Sequence, residues 1–244
     1  MEVYCFIPAR FRSTRLPGKP LIPVRGKPLI QWVYENALKI SVFKEIWIAT
    51  DDERIIKTVK KFGGKALITS PSHTSGTERI KEACGILGLK NEDIIVNLQG
   101  DEPVVDGESV KKLVKVFMED PGLKMGTLAY PSSSQSEFYD PNVVKVITDK
   151  NGFALYFSRS PIPYPREGKI EFLKHLGVYI FRWELLKKWD LLKQSPWEEK
   201  EKLEQLRPLY NSIPIRVVIA FKDSIGVDTK EDLEKLEKYL NENA

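Results

Sequence analysis

Asn97-Leu98-Gln99-Gly100-Asp101-Glu102-Pro103 holds residues with a clear capacity for chemistry. The residues just before it, Asp93 to Leu98, are short, apolar and rich in β-branched side chains, as in a buried strand. Gly100 permits a tight turn and Pro103 stops a ladder, so Asp101 and Glu102 fall just past the carboxyl end of that strand. Ligands of open α/β sheets bind at that edge, and a carboxylate there can hold a divalent cation against a phosphate. A plain acidic surface turn is the other reading of the same residues. A second set lies near the start of the chain. The apolar run Val3 to Ala9 breaks into a loop, Arg10 to Pro20, with four cations, two hydroxyls and one glycine. Cations neutralise a polyphosphate, and hydroxyls and backbone N–H groups bond its oxygens; a solvated basic loop is the alternative. The dinucleotide fingerprint Gly-x-Gly-x-x-Gly is absent, and Pro28 follows Gly26-Lys27 where a P-loop needs Ser or Thr.

Three further stretches carry candidates. Ser75-x-x-Glu78 is a capping box opening a helix with Arg79 in its first turn, where free N–H groups suit an anion or the edge of a base; a plain capped helix fits equally well. Alternation along Leu173 to Phe181 puts His175, Gly177 and Tyr179 on one strand face, although a lone histidine is more often structural than catalytic. Near the end, Gly226-Val227-Asp228-Thr229 leads into an amphipathic helix. Asp228 could be its N-cap, but Thr229-x-x-Asp232 resembles a capping box in its own right and would leave Asp228 to point elsewhere.

The elements that position these residues follow from periodicity. Strands are expected at Val3 to Ala9, Glu45 to Ala49, Lys65 to Thr69 and Asp93 to Leu98, and helices at Pro28 to Lys39 and from the capping box Thr50-Asp51-Asp52-Glu53 onward. Up to Thr69 the order is β-α-β-α-β, the pattern of a doubly wound, mostly parallel sheet, and a helix from Ser75 to about Leu87 and one ending near Asp120 flank the Asp93 to Leu98 strand. From Met125 the pattern changes. Strand-like segments at Gly126 to Tyr130, Val143 to Ile147 and Ala154 to Phe157 are linked by loops, with Asp149-Lys150-Asn151-Gly152 as a hairpin turn. These predict added antiparallel strands around the acceptor side. Helices are expected at Arg182 to Leu192 and Ser195 to Arg207, the second a charge run of the kind that usually forms a solvated face. Ile215 to Ala220 is the last strand.

With 244 residues, 42% hydrophobic and 30% charged, the chain fits a soluble α/β protein of one large domain or two small ones. Lys and Glu dominate the charge, a mild hint of a hot habitat. A net charge of +4 spread along the chain indicates no nucleic-acid surface. No basic segment precedes an apolar one and no long apolar run occurs, so neither a signal peptide nor a membrane span is expected. Cys5 and Cys84 read as core thiols of a reducing compartment.

These motifs, taken together, resemble a known family. Ile7-Pro8-Ala9-Arg10 with Ser13-Thr14-Arg15-Leu16-Pro17-Gly18-Lys19-Pro20-Leu21 resembles the start of sugar nucleotidyltransferases. Ala49-Thr50-Asp51, His73 to Arg79, Val96 to Pro103, Ala154 to Arg159, His175 to Tyr179, Leu203 to Arg207 and Gly226 to Thr229 narrow the resemblance to the 3-deoxy-manno-octulosonate (KDO) cytidylyltransferases, over almost the whole chain and in register. The resemblance implies a single domain of nucleotide-diphospho-sugar transferase type over residues 1–244, with an antiparallel acceptor and dimerisation subregion at about 126–182. It implies transfer of CMP from CTP to the anomeric hydroxyl of KDO, with loss of pyrophosphate. Pro8, Ala9, Arg10, Arg15, Lys19, Ser75, Gly76, Arg79 and Gln99 would bind the nucleotide. Gln99, Arg159, His175, Tyr179, Glu204 and Gln205 would bind KDO. Lys19, Arg10, Asp101 and Asp228 would carry the catalysis, with Asp101 and Asp228 holding Mg²⁺ and a second Mg²⁺ riding on the triphosphate. A cytoplasmic homodimer in lipopolysaccharide biosynthesis is implied as well. The competing readings are a cytidylyltransferase for 8-amino-KDO or a sialic acid, and a sugar-nucleotide-binding module without catalysis.

Overall fold

Val3–Ala9 carries no charge and forms strand β1, with Cys5, Phe6 and Ile7 fully buried. The computed structural model describes residues 1–12 and 16–242. A one-turn 3-10 helix at Lys19–Leu21 precedes the short pair β2 (Pro23–Val24) and β3 (Lys27–Pro28). Then follow α1 (Leu29–Leu38), β4 (Glu45–Thr50), α2 (Glu53–Lys61), β5 (Ala66–Ile68), α3 (Gly76–Ile86) and β6 (Ile94–Asn97). β1 pairs in parallel with β6 on one side and β4 on the other, and β4 with β5. In that register Ala9 lies beside Thr50 and Phe6 beside Asn97, so the chain leaves all three strands at one edge. Strands buried on both faces read as continuous apolar runs, and Ile94, Ile95 and Val96 are fully buried.

The chain continues through α4 (Gly107–Glu119), β7 (Met125–Ser132), α5 (Gln135–Tyr139), β8 (Lys145–Thr148), β9 (Ala154–Ser158) and β10 (Phe172–Arg182). It closes with α6 (Trp183–Leu186), α7 (Pro196–Glu201), α8 (Leu206–Tyr210), β11 (Ile215–Ile219) and α9 (Lys230–Glu242). Two compact units result: Met1–Gly107 with Ser224–Ala244, and Glu108–Asp223. In the second, β7 pairs in parallel with β11 and antiparallel with β10, and β8 pairs antiparallel with both β10 and β9. The class is therefore α/β with a mostly parallel sheet and added antiparallel strands, as the periodicity predicts. Among the described residues no helix is long and apolar enough to cross a membrane. Cys5 and Cys84 are buried free thiols, and burial pushes both pKa values up.

Three local expectations are corrected. The cap of α2 is Asp52, whose carboxylate accepts from Arg54 N at 2.9 Å; Thr50 still belongs to β4. The helix expected over Arg182 to Leu192 is the single turn α6 followed by a 3-10 turn at Trp189–Leu191. The helix expected over Ser195 to Arg207 breaks at Lys202, which takes the left-handed conformation with φ 54° and ends α7. In its charge run Glu199, Lys200 and Lys202 are exposed as expected, but Glu198 is buried and holds Arg207 through two bonds of 2.6 and 2.9 Å.

Candidate active site

In the first unit the expected acids meet. Val227 N donates to Asp101 O at 2.8 Å, which pins the segment before α9 against the turn after β6. Thr229 caps that helix: its Oγ1 accepts from Asp232 N, and the Asp232 carboxylate accepts from Thr229 N and Asp228 N. The capping work is thus done without the Asp228 carboxylate, which turns to Lys19. Lys19 Nζ donates to Asp101 Oδ2 at 2.6 Å, to Asp228 Oδ1 at 2.9 Å and to Val227 O at 3.0 Å. Burial works to lower the Lys19 pKa, but Asp101 and then Asp228 outweigh it, and the net shift is upward. The ammonium is therefore charged at neutral pH.

An apolar cluster underlies this junction. Leu16, Val24, Leu29, Val227 and Leu236 are buried together, with Trp32, Leu233 and Leu240 packed against them. It fastens α9 to the segment carrying Lys19. The basic loop closes on itself where Gly18 N donates to Phe11 O at 3.0 Å. Gly18 has φ +70°, which favours glycine. Arg15 lies outside the described residues.

The rest of the expected nucleotide set surrounds the end of β1. Pro8 and Ala9 close that strand and Arg10 leaves it. A Cβ on Gly100 would come within 2.6 Å of Pro8 O, and one on Gly76 within 3.3 Å of the Pro8 ring, so both glycines allow a close approach to Pro8. Ser75 caps α3 by accepting from Glu78 N at 3.1 Å, while the Glu78 carboxylate reaches Thr74 N. The expected box forms, with its second bond one residue earlier. Gln99 is partly exposed beside Asp101.

Arg79 departs from a ligand-facing expectation. It is fully buried, donates to Thr69 Oγ1 at 2.5 Å and lies 3.4 Å from Asp51. Burial lowers its pKa, Asp51 opposes that, and the charge of Arg10 adds to the lowering. Its Nε has no hydrogen-bond partner among the described residues. The side chain thus braces the ends of β4 and β5 beneath the start of α3. Thr69 and Asp51 were missed as its partners because Asp51 reads in sequence as part of a helix cap.

The second unit holds the remaining candidates. Arg159 N and Ser158 Oγ both donate to the Glu201 carboxylate, while the Arg159 guanidinium donates to the carbonyls of Glu201 at 2.7 Å and Pro141 at 2.8 Å. Among the described residues the Arg159 guanidinium bonds backbone carbonyls and forms no ion pair. Lys145, fully buried, donates to Asp140 O, Val143 O and Arg159 O and steadies the same backbone. Lys145 and Glu201 are supports that sequence reasoning missed. In sequence Glu201 reads as an ordinary member of a charge run, and Lys145 as one position of the strand-like run Val143 to Ile147. His175 and Tyr179 share a face of β10 as the alternation predicts, with ring centroids 5.3 Å apart. Glu204 and Gln205 lie in the turn between α7 and α8; Gln205 is buried and its Nε2 has no hydrogen-bond partner among the described residues.

Among the described residues, no three His, Cys, Asp or Glu side chains converge as a metal site. Two hard carboxylates do converge on one point, and a cation, the Lys19 ammonium, already lies there. That donor pair fits a divalent ion whose remaining ligands come from phosphate and water.

A parallel sheet with cations and convergent carboxylates at its strand ends defines an α/β protein built to handle phosphate groups. The chain belongs to the cytidylyltransferase family, whose model matches residues 4–224. It is 48% identical to a 3-deoxy-manno-octulosonate cytidylyltransferase of Thermodesulfovibrio yellowstonii, over 99% of each chain. It is 44% identical to an 8-amino-3,8-dideoxy-manno-octulosonate cytidylyltransferase of a Shewanella species, over 98% of this chain and 99% of the other. A solved CMP:2-keto-3-deoxy-manno-octonic acid synthetase complexed with CTP is 42% identical, covers both chains fully and superposes with a TM-score of 0.93.

Proposed function

We propose that the protein transfers CMP from CTP to the anomeric hydroxyl of KDO, releasing pyrophosphate and supplying CMP-KDO for lipopolysaccharide assembly. The convergence of Lys19 with Asp101 and Asp228 carries the reading, because a bare nucleotide binder has no need of two acids on one cation. The names of the similar proteins support the substrate pair.

The chain's residues meet the demands of in-line displacement at phosphorus, which are positioning and charge neutralisation. Arg10, Arg15 and Lys19 hold the triphosphate, and Lys19 meets the charge that develops on departing pyrophosphate. Ser75 and Gly76 present the N-terminus of α3 to the cytosine side, braced by Arg79. Mg²⁺ held by Asp101 and Asp228 would supply Lewis-acid polarisation of the phosphate and a lower pKa for the attacking hydroxyl. Arg159 takes the sugar carboxylate, and Gln99, His175, Tyr179, Glu204 and Gln205 take its hydroxyls. The reading includes a homodimer working in the cytoplasm.

Pyrophosphate release measured with each nucleoside triphosphate, with and without KDO, tests the proposal. Release is expected with CTP and KDO together. Equal turnover with ATP would overturn the base-side assignment of Ser75 to Arg79. The 8-amino sugar is the competing acceptor, given the Shewanella relative, and faster release with it than with KDO would change the named substrate.

Arg159→Ala is expected to raise the KM for KDO by roughly 10- to 100-fold, the worth of a charge-assisted hydrogen bond, with CTP affinity unchanged by calorimetry. A defect confined to CTP would place Arg159 elsewhere.

A further inference from the structure

The ladder between β10 and β7 slips between Leu176 and Tyr179: Leu176 pairs with Leu128, yet Tyr179 pairs with the adjacent Thr127. At this irregularity the fully buried Thr127 meets three groups. Its Oγ1 lies 2.7 Å from Val178 O, 3.4 Å from Leu176 O and 2.9 Å from His175 Nε2. A hydroxyl has one proton to donate. Val178 O is only an acceptor and is the nearer carbonyl, so the Thr127 proton goes there. The oxygen can then only accept from the imidazole, which requires the proton on Nε2.

His175 Nδ1 takes no hydrogen bond from the described residues, and the residue keeps partial exposure. The ring is steadied edge-on by Phe157 at 5.1 Å and tilted against Tyr179 at 5.3 Å. Burial pushes its pKa down to about 3, so it stays neutral near pH 7 with one nitrogen as donor and the other as acceptor. Among the described residues no carboxylate or cation is paired with the ring, which meets Thr127 from β7, Phe157 from β9 and Tyr179 from its own strand.

We propose that Thr127 is a positioning residue that locks His175 as the Nε2–H tautomer, so that Nδ1 faces the acceptor sugar as a hydrogen-bond acceptor and selects a hydroxyl donor there. The sugar-binding half of this statement rests on the assignment of His175 to the acceptor under the proposed function; the tautomer half does not. Thr127 touches no substrate atom and acts through the ring. A fixed acceptor orients a hydroxyl by its proton, whereas a freely exchanging tautomer would accept either orientation.

Nitrogen-15 spectra of the histidine side chains in the nucleotide-free protein test the first half. The chain has two histidines, so loss of one signal set in His73→Gln assigns the other. A protonated Nε2 and a bare Nδ1 are expected for His175 across pH 6 to 8; a protonated Nδ1 would overturn the proposal. Thr127→Val removes the hydrogen bond with little change of volume. It should let the tautomers mix and raise the KM for KDO roughly five- to tenfold, the worth of one hydrogen bond, with the KM for CTP unchanged. Thr127→Ser should restore both the spectrum and the KM. An unchanged spectrum in Thr127→Val would overturn the lock. If Thr127→Val fails to fold, the wild-type spectrum still decides the tautomer. Should the tautomer be as stated while His175→Gln leaves the KM for KDO unchanged, the acceptor assignment of His175 falls and the lock alone survives.

Discussion

Asp228→Asn lowers CMP-transfer turnover by about a hundred- to a thousandfold, the cost of losing a preorganised electrostatic group, while CTP still binds and the protein melts within ~1 °C of wild type. The expectation of an intact fold rests on how α9 begins. Thr229 and Asp232 satisfy its first N–H groups reciprocally, so the substitution removes no helix cap. Loss of a true cap would cost about 1 kcal/mol, about 2–4 °C in a chain of this size. Melting temperature therefore separates the two roles of Asp228. The loss of turnover follows from geometry. Asp228 and Asp101 meet on a single cation from distant parts of the chain, and a neutral amide can replace neither the charge nor the hard oxygen pair a divalent ion prefers. Asp101→Asn should behave alike, and the double variant should be little worse than either single one, as for groups that act as a unit. Turnover at the wild-type rate in excess EDTA, or a working Asp228→Asn enzyme, would remove the metal from the reading.

What made Asp228 legible in sequence was the neighbouring residue. Thr229-x-x-Asp232 is a cap signal that frees the preceding acid, and the structure follows it. The parallel strands were equally legible because burial on both faces leaves a run such as Val3–Ala9 with no charge. Other features have no local signal. Lys202 takes φ 54° and splits a predicted helix, though lysine is not the residue a left-handed cap announces; the turn carrying Glu204 and Gln205 exists because of that break. Arg79 sits in the first turn of a well-marked helix, but only the tertiary fold decides that its guanidinium lies beneath the strand ends with Thr69 and Asp51. The contact of Thr127 with His175 depends on a slip in the pairing of two strands far apart in sequence, which the alternation of β10 alone does not reveal.

Lys19→Met lowers turnover by about 100- to 1000-fold, comparable to removal of one charged donor from a developing anion, and also changes how the protein responds to Mg²⁺ before any nucleotide is added. In the wild type the ammonium stands between the Asp101 and Asp228 carboxylates at 2.6 and 2.9 Å and also satisfies Val227 O. Methionine keeps the apolar stem and removes the charge. The two acids are then left without their cation and Val227 O without its donor, so the variant should melt lower than wild type. Both acids are partly exposed, with side chains 32% and 43% accessible, so solvent screening keeps that loss modest. An added divalent cation is expected to take up the position the ammonium has left. Millimolar Mg²⁺ should accordingly raise the melting temperature of Lys19→Met more than that of wild type, where the lysine already balances the acids. Turnover should not return with the metal, because the ion restores charge at the carboxylates and leaves the departing pyrophosphate without the lysine. Near-normal turnover in Lys19→Met would reduce the Arg10 to Pro20 loop to a solvated basic turn, and equal Mg²⁺ stabilisation of both proteins would show that the two acids do not share one cation site.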